Sequence, residues 1–156
     1  MRRVFFALAS VVLTLGPAHV RAQAHPNFSG LWKQNMAKSS ETSLLSYANR
    51  IEQNGETITV TTITGGSRGE TSYDRTYVIG KESQSADKEG DQFTSLVKWE
   101  GRALIFLTTE KERTGTIETR EVWTLSADGK TLTKVRTSHG PRGDMERRYV
   151  LEKSPE

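Results

Sequence analysis

The amino-acid sequence predicts an all-β fold, an antiparallel up-and-down meander of about 8–10 strands that closes into a barrel. Apolar residues occur in short runs that alternate with Thr and charged residues, and no long stretch has the 3.6-residue period of an amphipathic helix. Gly, Asn and Asp separate these runs, which is typical of turns between strands. A meander of this size removes its exposed edges by closing. The alternative fold is a β-sandwich, but the even hairpin spacing favours the barrel.

The first half of the chain contains four predicted strands, at residues 28–34, 44–53, 56–64 and 71–79. Residues 36–42 are small and polar, and they predict a loop or a short helical turn. Asn54-Gly55 predicts a two-residue hairpin turn in which both residues take positive φ. Residues 65–69 are rich in Gly and predict a loop. The polar, charged segment 81–90 also predicts a loop.

The second half repeats the meander with clearer turns. Its predicted strands are residues 92–99, 103–109, 116–125, 131–138 and 145–151. Turns are expected at Glu100-Gly101, at residues 126–130, which contain Asp-Gly, and at residues 140–144. The meander therefore has about nine strands, joined by short connections.

Residues 1–24 have the three-part pattern of a cleaved signal peptide. A basic start is followed by an apolar run, a Gly16-Pro17 break and the small-x-small cleavage site Ala22-Gln23-Ala24. The apolar run is shorter than the roughly 20 residues that span a bilayer, so we expect no stable membrane anchor after cleavage. The mature chain, residues 25–156, is one barrel domain by size, and it is expected to be periplasmic or secreted. The alternative is an uncleaved N-terminal anchor.

Charge and cysteine content exclude several classes of function. Without Arg2, Arg3 and Arg21, the 22 basic residues of the full chain fall to 19, which equals the 19 acidic residues. A mature chain of about zero net charge gives no support to nucleic-acid binding. The absence of cysteine rules out disulfides, thiolate metal sites and a cysteine nucleophile.

The segment Phe28-Ser29-Gly30-Leu31-Trp32 resembles the opening of lipocalin and fatty-acid-binding-protein barrels. The resemblance implies that Gly30 lets the backbone pass close to its neighbours and that Trp32 plugs the barrel floor. It also implies that an Arg from a late strand lies across the Trp32 ring. The candidates for this arginine are Arg136, Arg147 and Arg148.

The chain as a whole is similar to small exported bacterial proteins described as lipocalin-like. It shares with them the Phe-x-Gly-x-Trp opening, a Trp-x-Leu-Ser-x-Asp-Gly-Lys-x-Leu stretch at residues 123–132 and a Gly-Pro-Arg-Gly turn at residues 140–143. It departs from secreted lipocalins in having no disulfides. It departs from fatty-acid-binding proteins in having no clear helix–turn–helix lid between its first two strands.

Four residues are the candidates for ligand binding. Arg147 and Tyr149 resemble the Arg-x-Tyr pair that holds a ligand carboxylate in the last strand of fatty-acid-binding proteins, and period 2 places them on one face with Met145 and Leu151. The alternative is an outward Arg147 paired with Glu121 or Glu146. Trp99 and Trp123 are candidates to line the pocket; the alternative for both is a core or rim position.

No catalytic or metal-binding pattern appears in the mature sequence. His139 lies alone in a predicted turn, and His25 at the expected mature N-terminus is followed by Pro26. Glu118 and Glu121 fall on opposite faces of their strand, and no Gly-x-Ser-x-Gly motif is present. We therefore expect no metal, no cofactor and no enzymatic activity.

Three functional hypotheses remain. The favoured one is an exported lipocalin-like protein that binds a small hydrophobic or amphiphilic ligand, such as a fatty acid, inside the barrel. The alternative is an envelope interaction or structural protein with a filled barrel and no ligand. The third is an enzyme that acts on a bound hydrophobe, which would need an inward carboxylate or His with a perturbed pKa.

Overall fold

A computed structural model describes residues 25–40, 46–86 and 91–155 of the chain. The predicted signal peptide, residues 1–24, lies outside the described residues. The part described contains ten β-strands and one short 3₁₀ turn. In chain order the strands are β1 Gly30–Gln34, β2 Ser46–Asn54, β3 Thr57–Gly66, β4 Gly69–Val78, β5 Glu82–Ala86, β6 Gln92–Glu100, β7 Ala103–Glu112, β8 Gly115–Leu125, β9 Thr131–His139 and β10 Met145–Ser154.

All ten strands belong to one antiparallel sheet, in the order β4-β3-β2-β1-β10-β9-β8-β7-β6-β5. Every pair of neighbours runs antiparallel, and all but the β1–β10 pair are consecutive in the chain. The sheet curls until β4 and β5 approach each other, which makes a nearly closed barrel. The predicted all-β meander is confirmed, and a two-sheet sandwich is not what the chain forms.

The β2–β3 hairpin differs in detail from its prediction. Asn54 pairs with Thr57 as the last strand residue, so the two turn residues are Gly55 and Glu56. Gly55 has a φ of +59°, whereas no residue other than glycine has positive φ in the described part of the chain. The turn therefore has the φ signs of type II′, with Gly first, rather than a turn with positive φ at both residues.

The prediction of a loop over residues 81–90 is wrong for Glu82–Ala86, which forms β5 and pairs with β6, and residues 87–90 lie outside the described residues. The sequence of β5 has no apolar alternation, and four of its five residues are exposed. Its backbone nevertheless hydrogen-bonds to β6, whose own pattern of alternation is clear. Residues 36–42 were expected to form a loop or short helical turn, and a 3₁₀ turn covers Met36–Lys38, capped by the side chain of Asn35.

The hydrophobic core fills one end of the barrel, which we call the closed end. This end carries the β2–β3, β6–β7 and β8–β9 turns. Its fully buried side chains are Phe28, Trp32, Ile51, Ile58, Leu104, Leu132 and Leu151. At the opposite, open end the inward side chains become exposed, as Met145 on β10 shows with 49% exposure. The cavity of the barrel therefore lies toward the open end.

Candidate functional site

The barrel encloses a cavity of about 300 Å³ that opens to solvent. Six aromatic side chains line it: Tyr47, Tyr73, Tyr77, Phe93, Phe106 and Trp123. Five ionisable side chains of both signs line it as well: Arg75, Glu110, Glu121, Lys134 and Arg136. An interior that mixes aromatic and charged groups suits a ligand that carries both an apolar part and a polar part.

Strand alternation explains why these side chains converge. Phe106 on β7 is in register with Glu121 on β8, and Glu121 is in register with Arg136 on β9. Trp123 and Lys134 form the next inward pair toward the closed end. Because successive residues point to opposite faces, the intervening residues of these strands face outward.

Lys134 is the centre of a buried polar network. Its side chain is 5% exposed, and its Nζ lies 3.3 Å from Oε1 of Glu121, whose side chain is 17% exposed. The ammonium also donates hydrogen bonds to the hydroxyl of Tyr47 at 2.9 Å and to Oδ1 of Asn49 at 3.0 Å. It lies 4.6 Å from the ring centroid of Trp123, within cation–π range. The charge of Lys134 is thus satisfied inside the protein.

The same network satisfies its other members. The Tyr47 hydroxyl donates to Oδ1 of Asn49 at 3.1 Å, and Nδ2 of Asn49 donates to Oγ1 of Thr62 at 3.1 Å. Nε1 of Trp123 donates to Oε1 of Glu121. In the described residues, no buried side-chain nitrogen or oxygen lacks a hydrogen-bond partner. Because its members satisfy one another's hydrogen bonds, the network forms part of the barrel wall rather than an open binding site.

The pKa shifts of the pair agree with this interpretation. Burial alone would lower the pKa of Lys134, but the Glu121 carboxylate and Tyr47 outweigh it and raise that pKa above its usual range. Burial alone would raise the pKa of Glu121, but Lys134 and the Trp123 hydrogen bond outweigh it and lower that pKa. Both groups are therefore charged at neutral pH.

Two further cavity groups have raised pKa values. Burial raises the pKa of Glu110, and the nearby carboxylates of Glu112 and Asp91 add to the effect. Burial also raises the pKa of the Tyr77 hydroxyl, against the opposing influence of Arg75. Both shifts follow from the removal of water from the inner wall.

The closed end contains Gly30 and Trp32, the two residues predicted to form the barrel floor. Trp32 is fully buried, and its Nε1 donates to the carbonyl of Phe28 at 2.8 Å. Gly30 has a φ of +135°, and a Cβ at this position would lie 2.7 Å from Cε of Lys153. Glycine thus accommodates both the backbone conformation and the side chain that crosses it.

The side chain over Trp32 is a lysine, not an arginine. Nζ of Lys153 lies 5.3 Å from the Trp32 ring centroid, because Lys153 is the register partner of Trp32. The prediction of Arg136, Arg147 or Arg148 for this position is wrong. All three arginines lie further toward the open end, and strand alternation turns Arg148 outward.

Arg147 and Tyr149 lie on the inner face of β10, opposite Arg136 and Lys134 of β9 respectively. Tyr149 is 8% exposed, and its ring centroid lies 5.2 Å from that of Tyr47. Neither residue is among those that line the cavity. Arg147 lies closer to the open end than Tyr149 does.

The two candidate tryptophans are separated. Trp123 lines the cavity and packs at 4.4 Å against Phe106. Trp99 lies near the closed end, where it stacks on His25 at 4.2 Å and on Phe28 at 6.0 Å, and it does not contact the cavity. Phe28 lies between the two tryptophans, 6.0 Å from the ring of Trp123.

Lys134, Arg136 and Arg75 form a set of interior charges that no local sequence pattern predicted. On β9, Leu132, Lys134 and Arg136 alternate with Thr133, Val135 and Thr137, so polarity does not distinguish the two faces. The one available indication was Leu132, whose burial places Lys134 on the same face.

In the ranges that the structure describes, no three His, Asp or Glu side chains lie close enough to hold a metal ion. No described helix has the length and apolarity needed to cross a membrane.

No protein-family model and no curated protein sequence matches the chain. Solved structures do match it. Lipid binding protein 8 of Caenorhabditis elegans has a TM-score of 0.62 at 15% identity, over 81% of this chain and 95% of that one. The REP1-NXSQ fatty acid transporter has a TM-score of 0.59 at 12% identity, over 83% and 97%. A zebrafish ileal bile acid-binding protein complexed with cholic acid has a TM-score of 0.57 at 19% identity, over 81% and 98%.

These similarities confirm the fold that the Gly30-x-Trp32 opening predicted. The chain forms a β-barrel of the lipocalin and fatty-acid-binding-protein type, and it spans almost the full length of each matched structure. At these identities the comparison shows the fold alone, because one fold serves many functions.

Proposed function

We propose that this protein is an exported carrier that binds a compact anionic amphiphile of the fatty-acid type inside its barrel. The observation that carries the proposal is the cavity of about 300 Å³, in which an aromatic wall meets charged side chains, three of them cationic (Arg75, Lys134, Arg136) and two anionic (Glu110, Glu121). The aromatic side chains would bury the apolar part of the ligand, and the cations would hold its head group.

We assign the head group to Arg136, which lines the cavity, and to Arg147, which does not line it but lies beside Arg136 toward the open end. They are direct register partners on the inner faces of β9 and β10. Each guanidinium offers a forked pair of donors that fits a carboxylate. Tyr149 lies deeper on the same face of β10.

Lys134 is a poor candidate for the anchor because Glu121 already neutralises it. Besides Glu110, whose pKa is raised by burial, Glu121 is the inward carboxylate that an enzyme on this barrel could use. Its pKa is lowered because Lys134 and Trp123 stabilise its ionised form against the effect of burial. A carboxylate held ionised by a buried lysine suits a structural role better than proton transfer.

The volume limits the size of the ligand. About 300 Å³ lies at the lower end of the range for small-molecule pockets, so we expect a short or medium chain rather than a long one. The apolar wall beside the cations is formed by Val60, Tyr77 and Phe106. The names of the matched structures, a fatty acid transporter and a bile acid-binding protein, support the same class of ligand by analogy.

The test is a displacement titration of the mature chain, residues 25–156. Anilinonaphthalene sulfonate serves as the fluorescent anionic probe, and decanoate and decanol compete for its site. We expect saturable binding of the probe and stronger displacement by decanoate than by the uncharged decanol. Arg136→Gln and Arg147→Ala should each weaken decanoate binding about tenfold, through loss of a charge-assisted hydrogen bond. Tyr149→Phe should weaken it less.

Arg148→Ala is the matched control, because Arg148 is adjacent to Arg147 but exposed on the outer face. It should bind decanoate as the parent does. Equal affinity for decanoate and decanol would contradict the anionic head group. Absence of probe binding to folded protein would instead support the alternative of an envelope protein with no ligand.

A further inference from the structure

The barrel is not sealed along one side. β4 and β5 are the two ends of the sheet, and no β-ladder joins them within the described residues. Among the described residues, the backbone hydrogen bonds of the β4–β5 connection lie near the closed end, where the Lys81 amide donates to the Val78 carbonyl at 3.0 Å and the Gly80 amide donates to the Val97 carbonyl at 2.7 Å. We call the gap between Gly69–Val78 and Glu82–Ala86 the β4/β5 seam.

One side chain spans this seam. The guanidinium carbon of Arg75, on β4, lies 5.5 Å from the ring centroid of Tyr73 and 5.5 Å from that of Phe93. Phe93 belongs to β6, and its register partner on β5 is Ser85. The contact with Tyr73 lies within β4, whereas the contact with Phe93 reaches past β5 and joins β4 to β6 through one cation–π contact.

The residues at the seam face both the cavity and solvent. Tyr73, Arg75 and Phe93 all line the cavity. Strand register places Tyr73 on the inner face opposite Thr62, yet Tyr73 is 52% exposed. Arg75 is also exposed. Inward side chains with this much exposure mark an opening in the wall rather than a closed surface.

We propose that the β4/β5 seam is a lateral entrance to the cavity, and that the Arg75 side chain is its gate. The Phe93 contact, which crosses the seam, is weak because it lies at an exposed position, so thermal motion can break it and move the Arg75 side chain aside. No backbone hydrogen bond of a β-ladder has to break at the same time. The positive charge of Arg75 at the entrance also attracts an anionic head group before it reaches the interior.

The first test needs no ligand and uses the absence of cysteine from the sequence. Thr108→Cys places one thiol on the cavity wall, and its rate of reaction with a small thiol reagent reports access to the cavity. Adding Arg75→Ala should raise that rate about two- to fivefold, through loss of the cation–π contact with Phe93. Adding Arg68→Ala instead, at an exposed position in the β3–β4 turn, should change it less than about twofold.

A second thiol distinguishes opening of the seam from general loosening. Val97→Cys lies in the buried core, and its reactivity should stay unchanged when Arg75 is replaced. Acceleration of both thiols together, or of neither, would overturn the proposal. If Arg75→Ala does not fold, Arg75→Lys should raise the Thr108→Cys rate by a smaller factor, and an unchanged rate would equally overturn it.

The second test asks whether the ligand of the proposed function uses this entrance. Tyr73→Cys at the seam and Met145→Cys at the open end have similar parent exposures, 52% and 49%, and each is modified with a bulky maleimide. The label at residue 73 should slow association of anilinonaphthalene sulfonate about tenfold relative to the unlabelled variant, while the label at residue 145 should not. Slowing by the label at residue 145 alone, or by both, would overturn the lateral route.

The two tests separate this inference from the proposed function. A protein that binds no probe would refute the proposed function, while the thiol rates would still decide whether Arg75 gates the seam.

Discussion

At the scale of single residues, the feature with a large desolvation cost is the buried ion pair of Lys134 and Glu121. Removing one member leaves the other charge in a site with little water, whereas removing both removes that unpaired charge and leaves Tyr47, Asn49 and Thr62 hydrogen-bonded to one another. Lys134→Met should therefore destabilise the protein by about 3 kcal/mol, and adding Glu121→Leu should restore much of that loss. Urea unfolding followed by tryptophan fluorescence measures both effects.

The control for this prediction is an exposed ion pair of the same chemistry. Lys38 and Glu152 lie 2.9 Å apart with side-chain exposures of 61% and 49%. Exposed pairs of this kind contribute little, so Lys38→Met should leave the free energy of unfolding within experimental error. A double variant as unstable as Lys134→Met alone would contradict the argument, because it would show that packing rather than an unpaired charge sets the cost.

The same pair predicts how stability depends on pH. The pKa of Glu121 is lowered in the folded protein, so its contribution is complete above the unfolded value of about 4.3 and is lost as pH falls through the folded pKa. The pKa of Lys134 is raised, so its contribution is complete below about pH 10.4 and is lost as pH rises through the folded pKa. Between these limits the pair adds no pH dependence.

Glu121→Gln should therefore flatten the acid limb of the stability curve, measured by urea unfolding between about pH 5 and pH 3. Glu118→Gln is the matched control, because Glu118 is on the same strand but exposed on the outer face. If the two variants lost stability in parallel with the parent at low pH, Glu121 would not be the group responsible.

These residues also show which features of the barrel the sequence predicts and which it does not. Trp32 at the closed end was predictable because glycine and tryptophan at this spacing have a structural reason to be there. Its cationic neighbour was not, since choosing Lys153 over three arginines requires the β1–β10 register, which no local pattern contains. The interior position of Lys134 depends in the same way on which face of β9 turns inward.

At the scale of elements, the β2–β3 turn offers a test of backbone conformation without packing. Gly55 has a φ of +59°, and a Cβ there would meet nothing within 4 Å. Gly55→Ala should therefore cost about 1 kcal/mol from left-handed backbone strain alone. Gly66 has no positive φ and equal space, so Gly66→Ala should cost less. Thermal unfolding of the two variants compares them, and equal losses would refute a turn of type II′ sign.

Alternation of apolar and polar residues separates the strands that the sequence predicts from the strand that it does not. β3 alternates Ile58, Val60 and Thr62 inward with Thr outward, so its period identifies it as a strand. β5 has no such period, because its side chains are exposed on both faces. β5 is a strand only because it pairs with β6, and local composition does not predict which strands pair.

At the scale of the whole molecule, the barrel divides into a sealed part and an open part. Pairing of β1 with β10 joins the first and last described strands, and the buried aromatic rings of Phe28 and Trp32 fill the closed end beneath them. On the opposite side of the sheet, β4 and β5 contact each other without a ladder. The cavity lies between these two regions, with a rigid wall of β8–β10 and a loosely joined wall at the seam.

This division predicts unequal local stability across one sheet. Amides on the free edges of β4 and β5 need only a local opening to exchange with solvent, whereas β9 and β10 are paired on both sides and need nearly global unfolding. In native-state hydrogen exchange read by mass spectrometry, peptides covering 69–78 and 82–86 should exchange about a hundredfold faster than those covering 131–139. Arg75→Ala should accelerate the first two further and leave the third unchanged, because Arg75 bridges only the seam. Uniform protection of all ten strands would mean that the β4 and β5 edges are held as firmly as the rest of the sheet, and the barrel would then have no side that opens by itself.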